Sequence, residues 1–178
     1  MMPQLTLVLG GASSGKSAFA EGLVSAAGDE RIYIATAQAF DTEMEAKIAA
    51  HRQMRGPEWE TIEAPQTLPE VIAKLPGQRR VLVDCATMWL SNRLLAEADM
   101  DSEFSCLLQA LHGCASPIVI VSNEIGQGIV PENFLGRRFR DLQGRLNRQL
   151  AERAELVVAV MAGLPLTLKG ALPEGAKW

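Results

Sequence analysis

The sequence lacks the features that would place it in a membrane, in an oxidising compartment or on nucleic acid. No apolar run approaches the ~20 residues of a membrane span, and no charged region precedes the first apolar stretch as it would in a signal peptide. The cysteines Cys85, Cys106 and Cys114 are odd in number and show no CxxC spacing, which favours core thiols. The net charge of −4 offers no overall basic field to nucleic acid. We expect one cytoplasmic domain over residues 1–178.

Short apolar runs alternate with helical patterns almost from end to end. The runs are rich in β-branched residues and nearly unalternated, as in parallel strands covered on both faces. The predicted strands are residues 5–9, 31–36, 80–84, 117–122 and 155–162, with further extended pieces at 59–64 and 166–169. The predicted helices are residues 17–26, 41–55, 68–74, 88–98, 102–112 and 135–153. This alternation predicts a three-layer α/β fold around a mainly parallel sheet flanked by helices.

The stretch LGGASSGKS has the GxxxxGK[ST] pattern of a phosphate-binding loop, between a predicted strand and a predicted helix. Glycines permit conformations that turn several N–H groups towards a phosphate, and the helix adds its positive end. Lys16 would reach the β- and γ-phosphates, and the Ser17 hydroxyl would ligate Mg²⁺. The nucleotide-binding residues predicted here are Gly10, Gly11, Ala12, Ser13, Ser14, Gly15, Lys16 and Ser17. The motif therefore predicts a P-loop NTPase fold that binds a nucleoside triphosphate.

Other motifs narrow the class of nucleotide-binding protein. RVLVD ends in Asp84, which suits the acidic residue that holds Mg²⁺, although a plain strand end is the alternative interpretation. The Asn-Lys-x-Asp motif expected of a guanine-binding switch is absent. The arginines of residues 137–148 interleave with a leucine stripe, which favours a solvated or subunit-facing helix side over nucleic-acid binding. Small-molecule phosphoryl transfer is the leading interpretation, and a nucleotide-binding regulatory module competes with it.

The segment DTEMEAKIAAHRQMR, residues 41–55, is typical of one charged helix. At helical spacing, Met44, Ile48, His51 and Arg55 fall on a single face, which should point inward. On geometry alone, a core histidine with one satisfied hydrogen bond is the more frequent explanation of such an imidazole.

Four stretches share their order and close to their spacing with one enzyme family. They are LGGASSGKSAFAE, YIATAQAFDTEMEAKIAAHRQMRGPEWETIEAP, VLVDCATMWLSN and SNEIGQGIVPENFLGRRFRDLQGRLNRQLAERAELVVAVMAGLPLTLK. The chain thus resembles the bifunctional adenosylcobinamide kinase/adenosylcobinamide-phosphate guanylyltransferase family of cobalamin biosynthesis. The resemblance implies that ATP or GTP phosphorylates the aminopropanol hydroxyl of adenosylcobinamide. It also implies that GTP guanylylates an enzyme histidine, and that GMP then passes to the cobinamide phosphate to give adenosylcobinamide-GDP.

The resemblance implies residue roles as well. His51 would be the catalytic guanylyl acceptor beside the catalytic Lys16, and Arg52 and Arg55 would offset phosphate charge. The further nucleotide-binding positions implied are Ile34, Ala35, Thr36, Glu63 and Asp84, with Ser17 and Asp84 as metal ligands. Asn123 and Glu124 are either substrate contacts or a polar turn, and the family suggests a homo-oligomer.

Two departures from the family pattern keep an alternative open. Some members carry two consecutive histidines where this chain has Ala50 and His51, and Ser13 stands where the family's loop commonly has arginine. Because of Ala50, a member limited to the kinase step is the alternative to the bifunctional enzyme, and Ser13 removes a cation near the phosphates, which predicts weaker phosphate binding.

Overall fold

The computed structural model describes residues 2–28, 30–38 and 58–173. In those ranges the strands are β1 Leu5–Gly10, β2 Arg31–Ala35, β3 Trp59–Glu63, β4 Arg80–Asp84, β5 Ile118–Asn123, β6 Leu156–Met161 and β7 Leu164–Lys169. The helices are α1 Lys16–Ala27, α2 Leu68–Ile72, α3 Ala86–Leu95, α4 Met100–Gly113 and α5 Phe134–Arg153.

The seven strands form one sheet in the order β3-β2-β4-β5-β1-β6-β7. Each neighbouring pair is parallel except β6 and β7, which form an antiparallel hairpin at one edge. β1 therefore lies between β5 and β6, and β5 separates it from β4. Since parallel strands place their carboxyl ends along one edge of the sheet, the segments that follow β1, β2, β4 and β5 meet there.

Two apolar layers cover the two faces of the sheet. Side chains of successive strand residues point to opposite faces, so each strand supplies both layers. One layer packs strand residues Leu7, Ile34, Val83 and Ile120 with Trp89, Phe104 and Leu146 of α3, α4 and α5. The other packs Val8, Tyr33, Leu82 and Val121 with Phe19 and Leu23 of α1. The mainly parallel sheet between helical layers confirms the predicted three-layer α/β fold.

The predicted elements are present with ends moved by at most three residues, apart from the helix predicted at residues 41–55, which lies outside the described residues. The largest shift is in α3, which starts at Ala86 directly after the extended residue Cys85 and stops before Glu97, whose φ is 56°. The leucine stripe of α5 is buried only in its second half, at Leu146 and Leu150, whereas Leu135 is exposed.

Cys106 corrects the expectation of three core thiols. Cys85 and Cys114 are buried, but Cys106 lies on the exposed side of α4. Among the described helices, none combines the length and the apolar character that crossing a membrane requires.

Candidate functional site

The phosphate loop leaves β1 at Gly10 and enters α1 at Lys16. Ser13 and Gly15 both have left-handed backbones, with φ of 55° and 91°, and the Ser14 N–H donates to the Gly11 carbonyl at 3.3 Å. Gly15, the residue before α1, supplies no side-chain cap, and the first turn of the helix has no acidic residue. The first N–H groups of a helix have no intrahelical partner and carry its positive end. The loop therefore presents main-chain donors suited to an anion.

Close packing explains why glycine occupies two of these positions. A Cβ at Gly10 would lie 2.4 Å from Ser14 Oγ and 2.7 Å from the carbonyl oxygen of Val160 on β6. A Cβ at Gly15 would lie 3.2 Å from the Cα of Gly163, in the turn between β6 and β7. The Gly163 N–H also donates to the Ser14 carbonyl at 2.8 Å. The hairpin turn thus supports the loop from outside.

Sequence reasoning missed this support. The predicted strands stopped at residue 162 and resumed at 166, whereas β6 and β7 are joined by the two residues Ala162 and Gly163. Both have positive φ, as the tight turn of a two-residue hairpin requires. An alanine–glycine pair between two apolar runs was the available signal.

The charges of Lys16 and Asp84 both influence the thiol of Cys85. Lys16 Nζ donates to the Gly11 carbonyl at 2.9 Å, so the ammonium folds back over the loop. Burial raises the pKa of the Cys85 thiol to about 11, with the Asp84 carboxylate adding to the rise and the Lys16 charge opposing it. Lys16 begins α1, which follows β1, and Asp84 ends β4, so both lie at the carboxyl edge of the sheet. Ser17 lies half-buried in the first turn of α1.

Tyr33 is a site residue that sequence reasoning did not find. Its hydroxyl donates to Asp84 Oδ2 at 2.8 Å, which fixes the orientation of the carboxylate. Tyr33 belongs to β2 and Asp84 to the neighbouring β4, and both point to the α1 face of the sheet. No motif marks such a residue, because the contact depends on which strands are neighbours.

In the predicted nucleotide-binding stretch of residues 34–36, two side chains are buried in the interior of the protein. Ile34 is fully buried in the layer under α3 and α4. The Thr36 hydroxyl is also fully buried: it donates to the Cys85 carbonyl at 2.7 Å and accepts from the Cys85 N–H at 2.8 Å. Thr36 therefore acts on the site by shaping the peptide that follows Asp84. Ala35, half-buried, ends β2 beside them.

The remaining candidates lie at other places. Glu63 is exposed at the end of β3, with Ala35 as its ladder partner. Glu124 accepts a hydrogen bond from the Gly126 N–H at 2.7 Å, so its carboxylate closes its own turn. The predicted guanylyl acceptor His51 and the cations Arg52 and Arg55 lie outside the described residues.

A family model described as cobinamide kinase/cobinamide phosphate guanyltransferase matches residues 6–168. The chain is 46% identical over 167 residues to the bifunctional adenosylcobalamin biosynthesis protein CobP of Pseudomonas aeruginosa, a match that covers 92% of this chain and 96% of that protein. It is 39% identical over 181 residues to the bifunctional adenosylcobalamin biosynthesis protein CobU of Escherichia coli, covering 93% and 99%. The protein of the same name from Salmonella typhimurium matches with the same identity and coverage.

A solved structure of an ATPase from the type III secretion system of pathogenic bacteria shares the architecture. The TM-score is 0.59 at 10% identity, over 93% of this chain and 57% of that one. At this identity the likeness concerns the fold alone, and it confirms the predicted P-loop NTPase fold.

Proposed function

Because the chain belongs to the cobinamide kinase/cobinamide phosphate guanyltransferase family, we propose that its single domain carries out both reactions that this description names. ATP or GTP first phosphorylates the aminopropanol hydroxyl of adenosylcobinamide, and GTP then supplies a guanylyl group that yields adenosylcobinamide-GDP. The observation that carries the proposal is the phosphate loop of residues 10–17, which packs against the hairpin turn at the sheet edge where β4 ends in Asp84. The identity to the relatives spans nearly the whole chain and is not confined to that loop.

In the kinase step, the loop holds the triphosphate while the substrate hydroxyl attacks the γ-phosphorus. A bond forms between the hydroxyl oxygen and phosphorus, and the bond to the β,γ-bridging oxygen breaks, leaving its electron pair on the nucleoside diphosphate. The hydroxyl proton passes to solvent. The protein's contribution is position and charge: the open N–H groups of the loop bind the phosphates, and Lys16 offsets the charge on the β- and γ-oxygens.

Magnesium is part of this proposal. Ser17 and Asp84 offer a hydroxyl and a carboxylate oxygen, the hard ligands that Mg²⁺ prefers, and Tyr33 already orients the carboxylate. A three-residue acidic or histidine cluster is not required, since Mg²⁺ usually keeps several waters and phosphate oxygens; in the ranges that the structure describes there is no such cluster. When bound, the ion would neutralise charge on the transferring phosphate.

In the guanylyl step, a His51 nitrogen attacks the α-phosphorus of GTP. The phosphorus–nitrogen bond forms as the bond to the α,β-bridging oxygen breaks, and pyrophosphate leaves. A phosphate oxygen of adenosylcobinamide phosphate then attacks the same phosphorus, and the broken bond returns its electron pair to the imidazole. This covalent route divides one difficult transfer into two easier ones. The support for His51 is the family resemblance of its segment, with Arg52 and Arg55 as nearby cations.

A labelling experiment tests the histidine. Incubation with α-³²P-GTP and Mg²⁺ should leave acid-labile, base-stable label on the protein, and His51→Ala should abolish it. The matched control is His112→Ala, because His112 is exposed near the end of α4, beside Gln4 and Arg153 at the opposite end of the sheet. Full labelling of the His51 variant would remove His51 from the mechanism. Mass spectrometry of the corrinoid products, with ATP and GTP both present, separates the bifunctional enzyme from one limited to the kinase step.

Self-association is the remaining part of the proposal. On the edge strand β7, Leu164 and Leu166 are two residues apart and share one face, Leu168 follows at a β-bulge, and all three are more than half exposed. An exposed apolar edge favours contact with a second copy of the chain. We expect light scattering to show an oligomer in a cytoplasmic enzyme of this family, and Leu166→Lys to reduce its mass. An unchanged mass in that variant would place any interface elsewhere.

A further inference from the structure

Asn123 ends β5, the strand between the phosphate-loop strand and the strand of Asp84. Its ladder partner on β1 is Gly10. Val121 and Leu82, two residues before Asn123 and Asp84 respectively, both pack in the apolar layer under α1. Because residues two apart in a strand share a face, Asn123 and Asp84 project on the face where α1 begins. Asn123 is therefore the polar strand end between the loop and the carboxylate.

Side chains from two helices hold the backbone of Asn123. Its N–H donates to Thr87 Oγ1 of α3 at 2.8 Å, and its carbonyl accepts from Asn147 Nδ2 of α5 at 3.0 Å. The following N–H, that of Glu124, donates to the Gly10 carbonyl at 3.1 Å. Within the described part of the chain, no hydrogen bond engages the half-buried side-chain amide of Asn123. The backbone is thus fixed on three sides, and the amide is left for a ligand.

A buried polar network keeps this clamp in one orientation. Asn147 Oδ1 accepts from Ser122 Oγ at 2.7 Å and from Gln143 Nε2 at 2.9 Å. Gln143 Nε2 also donates to Ser122 Oγ at 2.9 Å. Since Ser122 and Gln143 already donate to the oxygen of the Asn147 amide, the amide nitrogen faces Asn123. Ser122 and Gln143 are fully buried, and the cost of burying polar side chains is offset here by the hydrogen bonds of Ser122 Oγ and Gln143 Nε2.

We propose that Asn123 binds the terminal phosphoryl group of the nucleoside triphosphate, its side-chain N–H donating to a non-bridging oxygen, and that Thr87 and Asn147 are its positioning residues. The inference rests on the proposed function, because the phosphates must first occupy the loop of residues 10–17. A triphosphate bound there extends its last phosphate towards Asp84, which brings it past the end of β5. A diphosphate does not reach this amide, so Asn123 distinguishes the nucleotide before phosphoryl transfer from the product after it.

The test compares binding of two nucleotides by calorimetry with Mg²⁺: β,γ-imido-GTP, which carries a γ-phosphate, and GDP, which does not. Asn123→Ala should lower the affinity for the imido analogue by about tenfold or more, the usual effect of losing a hydrogen bond to a charged group. Its affinity for GDP should stay within about twofold of that of the unmutated protein. Thr87→Val should shift the ratio in the same direction by a smaller factor. It should add nothing in the Asn123→Ala background, because it acts through that residue.

Asn123→Asp and Gln78→Ala complete the experiment. An aspartate side chain is no larger than that of asparagine, so Asn123→Asp keeps the shape of the site if the alanine variant fails to fold. The introduced carboxylate should repel the γ-phosphate and leave GDP binding less affected. Gln78 lies in an exposed turn at the far end of β4, and its alanine variant should match the unmutated protein with both nucleotides.

Each outcome decides the inference. Equal weakening of both nucleotides in the Asn123 variants would show a purely structural role and overturn it, as would an unchanged ratio. Failure of the unmutated chain to bind either nucleotide would overturn the proposed function and the inference together, which separates the two failures. In the kinase assay the same variants should lower kcat and leave the KM for the corrinoid within about twofold.

Discussion

Replacing Gly10 by alanine should separate β1 from β6 at the start of the phosphate loop and lower the free energy of unfolding. The added Cβ would meet Ser14 Oγ at 2.4 Å and the Val160 carbonyl oxygen at 2.7 Å. The serine can turn away, but the carbonyl belongs to β6, which is hydrogen-bonded to β1 in the register Gly10↔Val160. The contact is about 0.6 Å shorter than the ~3.3 Å of close carbon–oxygen contacts, so the strands must part. Overpacking of this kind costs about 1–3 kcal/mol.

Urea unfolding measures this cost. For a slope of about 2 kcal/mol/M, the midpoint of Gly10→Ala should fall by about 0.5–1.5 M. The control is Gly11→Ala one residue later, where a Cβ has nothing within 4 Å and φ is not in the left-handed region. That variant should unfold at the same midpoint or slightly higher, since alanine restricts the unfolded chain.

A double variant identifies the responsible contact. Gly10→Ala combined with Ser14→Ala removes one clash and keeps the other, so it should recover only part of the loss. Equal urea midpoints for Gly10→Ala and Gly11→Ala would refute the reasoning. Full recovery of the midpoint in the double variant would also refute it, because the clash with the Val160 carbonyl would then cost no stability.

Three further predictions concern the end of β4. Tyr33→Phe removes the donor to Asp84 and should raise the Mg²⁺ concentration for half-maximal kinase activity by about tenfold; an unchanged magnesium titration would contradict it. Burial raises the pKa of the Cys85 thiol from 9.0 to about 11. Below pH 9 the thiol is protonated in both states and the full stability is present, and the folded state loses stability as the pH rises from 9 to about 11. Unfolding free energies should fall by about 2–3 kcal/mol over that range. Cys85→Ala should remove that pH dependence, but Cys106→Ala should keep it. Thr36→Val strands two backbone groups and should lower stability by about 2–4 kcal/mol, whereas Thr36→Ser retains it; equal denaturation midpoints would argue against this.

What the sequence predicts well is what depends on neighbours in the chain. The phosphate loop is local: its turn residues, its lysine and its helix all lie within residues 10–27, and the structure shows the backbone that the motif predicts. The alternation of strands and helices is likewise local, so the fold class follows from it. The exposure of Phe134 and Leu135 in the first turn of α5 was not predicted, because helical periodicity shows which side is apolar and not how far the partner layer extends.

The roles that could not be predicted depend on strand order. The nucleotide contact implied for Thr36 stays a prediction, and the bonds between its hydroxyl and the Cys85 peptide, 49 residues away, were not predicted. The Tyr33–Asp84 contact spans 51 residues and arises because β2 and β4 are neighbours in the sheet. A single sequence carries no sign of such pairings. The role of His51 stays a prediction from family resemblance, since its segment lies outside the described residues.

The contact between Gly163 and the phosphate loop has a consequence for synthesis on the ribosome. The loop emerges early, but β6 and the turn that supports Ser14 leave the exit tunnel only after most of the chain has been made. At about 5–20 residues per second, that interval is roughly 7–30 s. During it the loop of a nascent chain lacks both its neighbouring strand β6 and the hydrogen bond from Gly163, so the loop reaches its final packing only in polypeptides complete through that hairpin.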